Sequence, residues 1–369
     1  MSDPTNLRIP GPTPVPPEVI EAMSEPMIPH RGEEFSAMFS ELLEQLKRIH
    51  NTKDDVFVIA GTGSAGWEIS IVNTVGPGDK VIAAVNGGFG ERFVQVAEHF
   101  GVNVTRLDAE WGQPIDANEL EDLLKRHPDA KMVQVVHNET STGVLNPMAD
   151  LGQVVRDHGA LFVVDSVSGA AGTPVDMDGW PADIVFTGSQ KAFMCPPGLS
   201  IFGISDRVWS YTDSAPMARF TLDLKRIRDA ARSGSTPSTA PIALIRGLKA
   251  ACDLIEAEGM DALYRRHVEL RDMTRKALRE IGLQLLADDA YASPTVTVGL
   301  LPEGVTSDDV RRLMYERHGI YVAAGIGPFN ERAIRIGHMG WTNTPELERT
   351  FQALDDVMER VPVGSVSAG

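Results

Sequence analysis

Three short stretches carry residue types able to do chemistry, and each follows directly on an apolar run. The first is Gly61-Thr62-Gly63-Ser64-Ala65-Gly66, after residues 56–60. Glycines let a backbone approach an anion, and free N–H groups at a helix start bind phosphate. The same G-x-G-x-x-G spacing also fits a dinucleotide site, or a plain strand-to-helix turn. The second is Asp165, which ends Leu161-Phe162-Val163-Val164. A carboxylate there can cap a turn or helix; at a sheet rim it can face a cation. The third is Lys191, in Thr187-Gly188-Ser189-Gln190-Lys191. A surface lysine is ordinary, but one at a buried rim can lose its proton and form an imine. Small neighbours before it, and Ala192-Phe193 and Pro196-Pro197-Gly198 after it, favour the rim.

The order of the three says more than any one alone: glycine loop, strand-end Asp, then strand-end Lys 26 residues later. An anion cradle, a partner for a protonated ring nitrogen and an imine-forming lysine are the anchors pyridoxal phosphate needs. The acidic partner keeps its ring an electron sink. A metal centre is not indicated. Cys195 and Cys252 form no C-x-x-C, and neither His137 nor His338 has a second ligand at a useful spacing.

The elements that must position these residues are legible as patterns. Apolar runs at 56–60, 80–85, 103–107, 132–136, 161–164, 184–187 and 199–203 alternate with helical spacing at 64–75, 90–100, 117–126 and 147–158. Near-continuous apolar strands between helices predict a parallel-dominated sheet of seven strands covered on both faces. Ligands of such sheets sit beyond the strands' carboxyl ends, where all three stretches fall. A proline-rich arm occupies 1–17, followed by a helix at 34–49. The large domain is read as 18–255. A smaller α+β domain over 256–369 follows, with one long helical stretch at 241–281, strands at 295–299 and 334–336, and helices at 307–317 and 345–360.

Bulk composition narrows the setting. The 369 residues suit about two domains, and 43% hydrophobic with 23% charged is ordinary for a globular protein. A formal charge of −17 argues against a nucleic-acid partner. No window approaches the roughly 18 apolar residues of a membrane span. No secretory or peroxisomal signal is read at either end, and with two cysteines a reducing cytoplasm is the expected location.

At this point the sequence resembles the class V aminotransferases of fold type I, most closely the alanine–glyoxylate and serine–glyoxylate (serine–pyruvate) aminotransferases. The resemblance covers nearly the whole chain. It is carried by Asp165-Ser166-Val167, Gly188-Ser189-Gln190-Lys191-Ala192, Pro196-Pro197-Gly198 and Arg335-Ile336-Gly337-His338-Met339-Gly340. The resemblance implies pyridoxal 5'-phosphate as a Schiff base on Lys191, with Asp165 on the ring nitrogen. Thr62, Gly63, Ser64 and Gln190 would hold the phosphate. Phe89 would stack on the ring, Val167 would pack on its other face, and Thr140 would lie by the ring oxygen. Thr236 and Thr239 would come from a neighbouring subunit of a homodimer, although some relatives have Tyr where Thr236 stands. Arg335 would clamp the substrate carboxylate. Gly11 and its small neighbours would crowd a large substrate side chain. The implied reaction is ping-pong transfer from alanine or serine to glyoxylate or pyruvate. His30-Arg31 could face substrate or solvent.

Other readings remain open from sequence. Phosphonate- or ureidoglycine-type transaminases differ by few residues. A cysteine desulfurase needs a nucleophilic Cys on a mobile loop, which neither cysteine offers well. A dinucleotide-dependent dehydrogenase needs an acid ending the next strand, where Asn86 stands. A cofactor-bearing but catalytically idle subunit would show colour without half-reactions.

Overall fold

The computed structural model describes residues 6–361, so the first five residues of the expected arm and the last eight of the chain lie outside the described residues. The main sheet has seven strands: β1 (Asp55–Ala60), β2 (Lys80–Val85), β3 (Asn103–Asp108), β4 (Ala130–Val136), β5 (Leu161–Asp165), β6 (Ile184–Gly188) and β7 (Leu199–Ile204). Their order is β1-β7-β6-β5-β4-β2-β3. Every residue of β5, β6 and β7 is buried. That is why these segments read as unbroken apolar runs rather than alternating ones. The edge strand β3 is largely exposed and carries Asn103, Arg106 and Asp108, polar residues that discourage further pairing.

Only β7 runs against its neighbours, pairing antiparallel with both β1 and β6. The physical reason is the short link of residues 189–198 between β6 and β7. A parallel return needs a crossover of about a dozen residues or more. This link holds Lys191.

Two cores cover the sheet. Beneath one face pack α2 (Glu33–Ile49), α5 (Ala117–Arg126), α6 (Met148–His158) and α9 (Ile242–Glu258), through Phe35, Phe39, Leu42, Leu120, Leu151 and Leu248. Against the other pack α3 (Ser64–Thr74), α4 (Gly88–His99), α7 (Asp206–Ser214) and α8 (Leu224–Arg232), through Ile69, Ile71, Phe93, Val208 and Ile227. A third core joins α10 (Met260–Glu280), α11 (Ser307–His318) and α12 (Thr344–Arg360) to a small antiparallel sheet. Its strands are β8 (Gln284–Leu285), β9 (Val296–Leu300), β10 (Ala323–Ala324) and β11 (Ala333–Gly337), in the order β8-β9-β11-β10.

Three differences from expectation have local causes. The helical stretch at 241–281 is two helices, because Gly259 at φ 84° breaks it between α9 and α10. The arm gives way at Pro17 to a further helix, α1 (Pro17–Ser24), since proline suits the first helical position. Helices α7 and α8 bury only two residues each, too few to show a helical period.

Candidate active site

Because β1, β2, β4, β5 and β6 all run the same way, their carboxyl ends share one rim. Lys191, just past β6, is buried. Its Nζ donates to the Pro10 carbonyl, and Gly11 lies so close that a Cβ there would be 2.7 Å from both Cδ and Nζ. Gly11 therefore leaves room for the lysine stem, and the same turn is where the sequence suggested that small residues crowd the substrate. Thr13 fixes the same turn: its N–H donates to the Gln190 carbonyl (3.1 Å), and its hydroxyl to the Lys191 carbonyl (2.8 Å). Burial lowers the Lys191 pKa to about 8, the Arg335 cation adds to this, and Asp165 opposes it. An amine so placed is partly neutral near neutral pH and available as nucleophile or base.

Asp165 is buried at the end of β5. Its Oδ1 accepts from the Val167 N–H at 2.9 Å, while Oδ2 has no hydrogen-bond partner among the described residues. Burial raises its pKa to about 7; the Val167 N–H, the nearby Trp67 indole N–H (which makes no well-formed hydrogen bond to it) and Lys191 pull down, and the negative charge of Glu139 pushes up. A buried carboxylate oxygen without a donor fits a cationic N–H.

The glycine loop caps β1. Gly63 is required there, since a Cβ would come within 2.6 Å of Val167 Cγ2. Gly66 has a different role: α3 lies directly on the Phe186 ring at that point, so its lack of a side chain serves helix–sheet packing. The first turn of α3 closes with Ala65 N–H to the Thr62 carbonyl (2.9 Å) and Gly66 N–H to the Gly63 carbonyl (3.0 Å). Thr62 and Ser64 are exposed, so their hydroxyls are open to a ligand. Gln190 Oε1 is buried without a hydrogen-bond partner among the described residues, and a Cβ on Gly188 would lie 2.6 Å from it and 3.3 Å from the Gly63 nitrogen. Gln190 thus reaches the same cradle.

Phe89 sits half-buried in the first turn of α4, with the Arg92 guanidinium 5.3 Å from its ring centre. The Thr140 hydroxyl pairs with Ser168, and the Thr140 carbonyl accepts from Arg335 Nη1 at 3.3 Å. Arg335, on β11, also donates from Nε to the Ala324 carbonyl at 2.7 Å. These two bonds fix the plane of the guanidinium. Burial lowers its pKa to about 10, and Glu139 opposes; it stays charged at any physiological pH.

A family model for aminotransferase class-V matches residues 5–329. The chain belongs to the class-V aminotransferases. A Synechococcus protein named the small subunit of a soluble hydrogenase is 36% identical over 100% of this aminotransferase and 97% of its own length. An L-aspartate–glyoxylate aminotransferase of Paracoccus denitrificans is 35% identical, covering 92% of this chain and 87% of the relative. The crystal structure of an alanine–glyoxylate aminotransferase from a Nostoc species matches at TM-score 0.93 and 31% identity, over 97% of this chain and 96% of that one. The expected fold type I architecture is thereby borne out, as is the pyridoxal-phosphate cofactor of the family.

The residues present fit that cofactor. The amine of Lys191, the unpartnered Asp165 Oδ2 and the Thr62, Gly63, Ser64 and Gln190 cradle stand on one rim, beside Val167. Thr236 and Thr239 stand in the segment between α8 and α9. They line a cleft with Ile59 and Ala60 at the end of β1, and the Thr236 hydroxyl donates to the Ser238 carbonyl at 2.7 Å. His30 is half-buried and Arg31 exposed.

Cys195 and Cys252 are both buried, and burial pushes the Cys195 thiol up to about 12, so neither offers the thiolate of a desulfurase. His137 is buried against the Trp180 ring, with Nδ1 2.9 Å from the Ser166 hydroxyl. His338 meets the Thr297 hydroxyl at 2.9 Å. Burial lowers both imidazoles to about 3, which suits packing rather than proton transfer. Among the described residues no group of three or more His, Cys, Asp or Glu side chains is placed to hold a metal ion. Nor is any helix long and apolar enough to cross a membrane.

Sequence reasoning missed Pro10, Thr13, Glu139 and Ser141. Pro10 acts through its carbonyl, which leaves no residue-type signal, and Thr13 through its N–H and its hydroxyl, whose target is a main-chain carbonyl. Glu139 could have been found, because it follows β4 as Asp165 ends β5.

Proposed function

We propose that this aminotransferase moves the amino group of alanine or serine to glyoxylate or pyruvate by a ping-pong route, with Lys191 as the amine that attaches the cofactor. The observation that carries the reading is Arg335. Its guanidinium is held in a fixed plane by two backbone carbonyls, near enough to Lys191 to lower its pKa. A planar donor so held suits a substrate carboxylate, which amino donor and oxo-acid acceptor both carry. The acceptor rests on the Paracoccus and Nostoc relatives, both named for glyoxylate with different donors.

When bound, pyridoxal phosphate supplies an electron sink for the carbon that loses its proton. The chain supplies the rest. Asp165 Oδ2 would hold the protonated ring nitrogen, and Thr62, Gly63, Ser64 and Gln190 the phosphate. Phe89 and Val167 would bracket the ring, with Thr140 at its oxygen side. Arg335 orients the α-carboxylate. Lys191 Nζ, freed when the donor's amine takes its place, would take the proton from the donor's α-carbon and pass it to the cofactor within the same half-reaction, and would run that transfer backwards to put a proton on the acceptor's α-carbon. We also assign a homodimer, in which Thr236 and Thr239 reach the second subunit's site, and a cytoplasmic location, in keeping with two buried free thiols.

Half-reactions test the substrate choice. Each candidate amino acid is mixed with the loaded enzyme, and loss of visible absorbance is followed. Alanine or serine should bleach it fastest. Faster bleaching by aspartate, ureidoglycine or an aminophosphonate would replace the donor. No bleaching by any of them would sink the transaminase assignment in favour of an idle subunit. Lys191→Ala should lose both the visible absorbance and turnover.

A further inference from the structure

The most fully bonded side chain near the rim is one that the reaction above does not use. Glu139 is completely buried in the turn after β4. Its Oε2 accepts from the Phe89 N–H at 3.1 Å and from the Gly90 N–H at 3.2 Å. Its Oε1 accepts from the Ser141 N–H at 3.0 Å and the Ser141 hydroxyl at 2.6 Å. That hydroxyl accepts in turn from the Gly88 N–H at 2.8 Å. Gly88, Phe89 and Gly90 open α4, and their N–H groups are those a helix leaves without partners. Glu139 and Ser141 satisfy all three. A carboxylate is also favoured at that end by the helix dipole.

The next peptide faces the other way. The Thr140 carbonyl accepts from Arg335, and the Glu139 charge acts on that guanidinium. One turn therefore holds the backbone of Phe89 on one side and Arg335 on the other.

We propose that Glu139 is a positioning residue that fixes the Phe89 turn and the Arg335 guanidinium relative to each other. This rests on the reading that Phe89 lies against the cofactor ring and Arg335 receives the substrate carboxylate. Burial raises the pKa of Glu139, and its hydrogen bonds oppose that. All four of its bonds come from donors, and a protonated oxygen would set O–H against N–H, so the carboxylate form is the one the turn is built around.

Glu139→Gln is the test. One amide oxygen cannot serve both donor pairs, so either Phe89 and Gly90 or Ser141 would face an NH2. Amide hydrogen exchange in the full-length chain should quicken about tenfold or more at that pair, the size expected for one lost hydrogen bond to a charged group. In the loaded enzyme KM for the amino donor should rise by roughly the same factor, with a smaller fall in kcat and a shifted visible maximum. Unchanged exchange at residues 88–90 and 141 would overturn the proposal, as would quicker exchange with an unaltered KM. If Glu139→Gln does not fold, Ser141→Ala serves: exchange at Gly88 should quicken, and no change there would equally overturn it. Wild-type kinetics in both Phe89→Ala and Arg335→Ala would instead sink the reading of the site, whatever the exchange shows.

Discussion

Gly11→Ala is the sharpest probe of how Lys191 is held. The new Cβ would lie 2.7 Å from Lys191 Cδ and Nζ and 2.9 Å from Cε, so the lysine stem must move. The stem has little room, because Nζ is held at the Pro10 carbonyl and the residue is buried. Gly11 also sits at φ 120°, where a side chain costs roughly 1–3 kcal/mol. For a chain of 369 residues, at about 2.1 cal/mol/K per residue, each kcal/mol lowers Tm by only about 1.3 °C, so a fall of roughly 1–4 °C is expected. Displacing a catalytic amine by about 1 Å costs on the order of 100-fold in rate. Activity should therefore fall much further than stability. The assay is kcat in steady-state transamination, with the visible absorbance of the bound cofactor and a thermal melt on the same preparation. A variant with wild-type kcat, absorbance and Tm would refute the contact between the arm and the lysine.

Arg335→Lys keeps the charge but loses the planar fork. KM for both donor and acceptor should rise by about 10- to 100-fold with kcat less affected, and an unchanged KM would remove Arg335 from the substrate. Asp165→Asn should lower kcat by about 100-fold or more with the cofactor still bound, since an amide cannot hold the ring nitrogen protonated. In cofactor-free protein the same residue sets a pH dependence. Burial raises Asp165 to about 7 from 3.8, so its contribution to stability is complete below about 4 and is lost as pH rises through 7. Lys191, lowered to about 8 from 10.5 by burial and by Arg335, gives the opposite slope, with stability rising between those values. Buried His137 and His338, lowered to about 3 from 6.5, push stability the other way below pH 6.5. The Asp165 contribution is therefore read as the difference in urea midpoint between wild type and Asp165→Asn, which should change between about pH 4 and 7; a difference that stays constant over that range would refute it.

The main sheet was legible because burial on both faces leaves β5, β6 and β7 mostly apolar, with one polar residue each, so the runs stand out in a linear sequence. Lys191, Asp165 and the loop at Gly63 were legible for a related reason: each is a polar or glycine residue where such a run stops. What the sequence hid is of two kinds. Orientation was hidden, as for β7, whose direction follows from the length of the link rather than from its own residues. Backbone contacts were hidden too, as at Pro10, whose carbonyl meets Lys191 and would be supplied by any residue type. Glu139 is an intermediate case. Its position after β4 was visible, but its role depends on N–H groups some fifty residues earlier, at 89 and 90.

Arg335 stands on the small sheet and Lys191 just past a strand of the main one, so their separation needs a structural cause. Residues 6–13 provide one. Asn6 and Leu7 pair in parallel with Ile320 and Tyr321, and the Arg8 N–H donates to the Tyr321 carbonyl at 2.8 Å. The Arg8 carbonyl then accepts from the Gly337 N–H at 2.8 Å, at the end of the strand that carries Arg335. Two residues later Pro10 meets Lys191, and Thr13 holds the turn around it. The Arg8 side chain, 1% exposed, donates to the Thr342 hydroxyl at 2.9 Å and pairs with Glu346 at 3.4 Å, which keeps this stretch against the third core. A partly exposed ion pair adds little to stability by itself, so its worth lies in fixing where the arm runs. The arm is thus a direct tie between the guanidinium that would orient the substrate and the amine that would act on it.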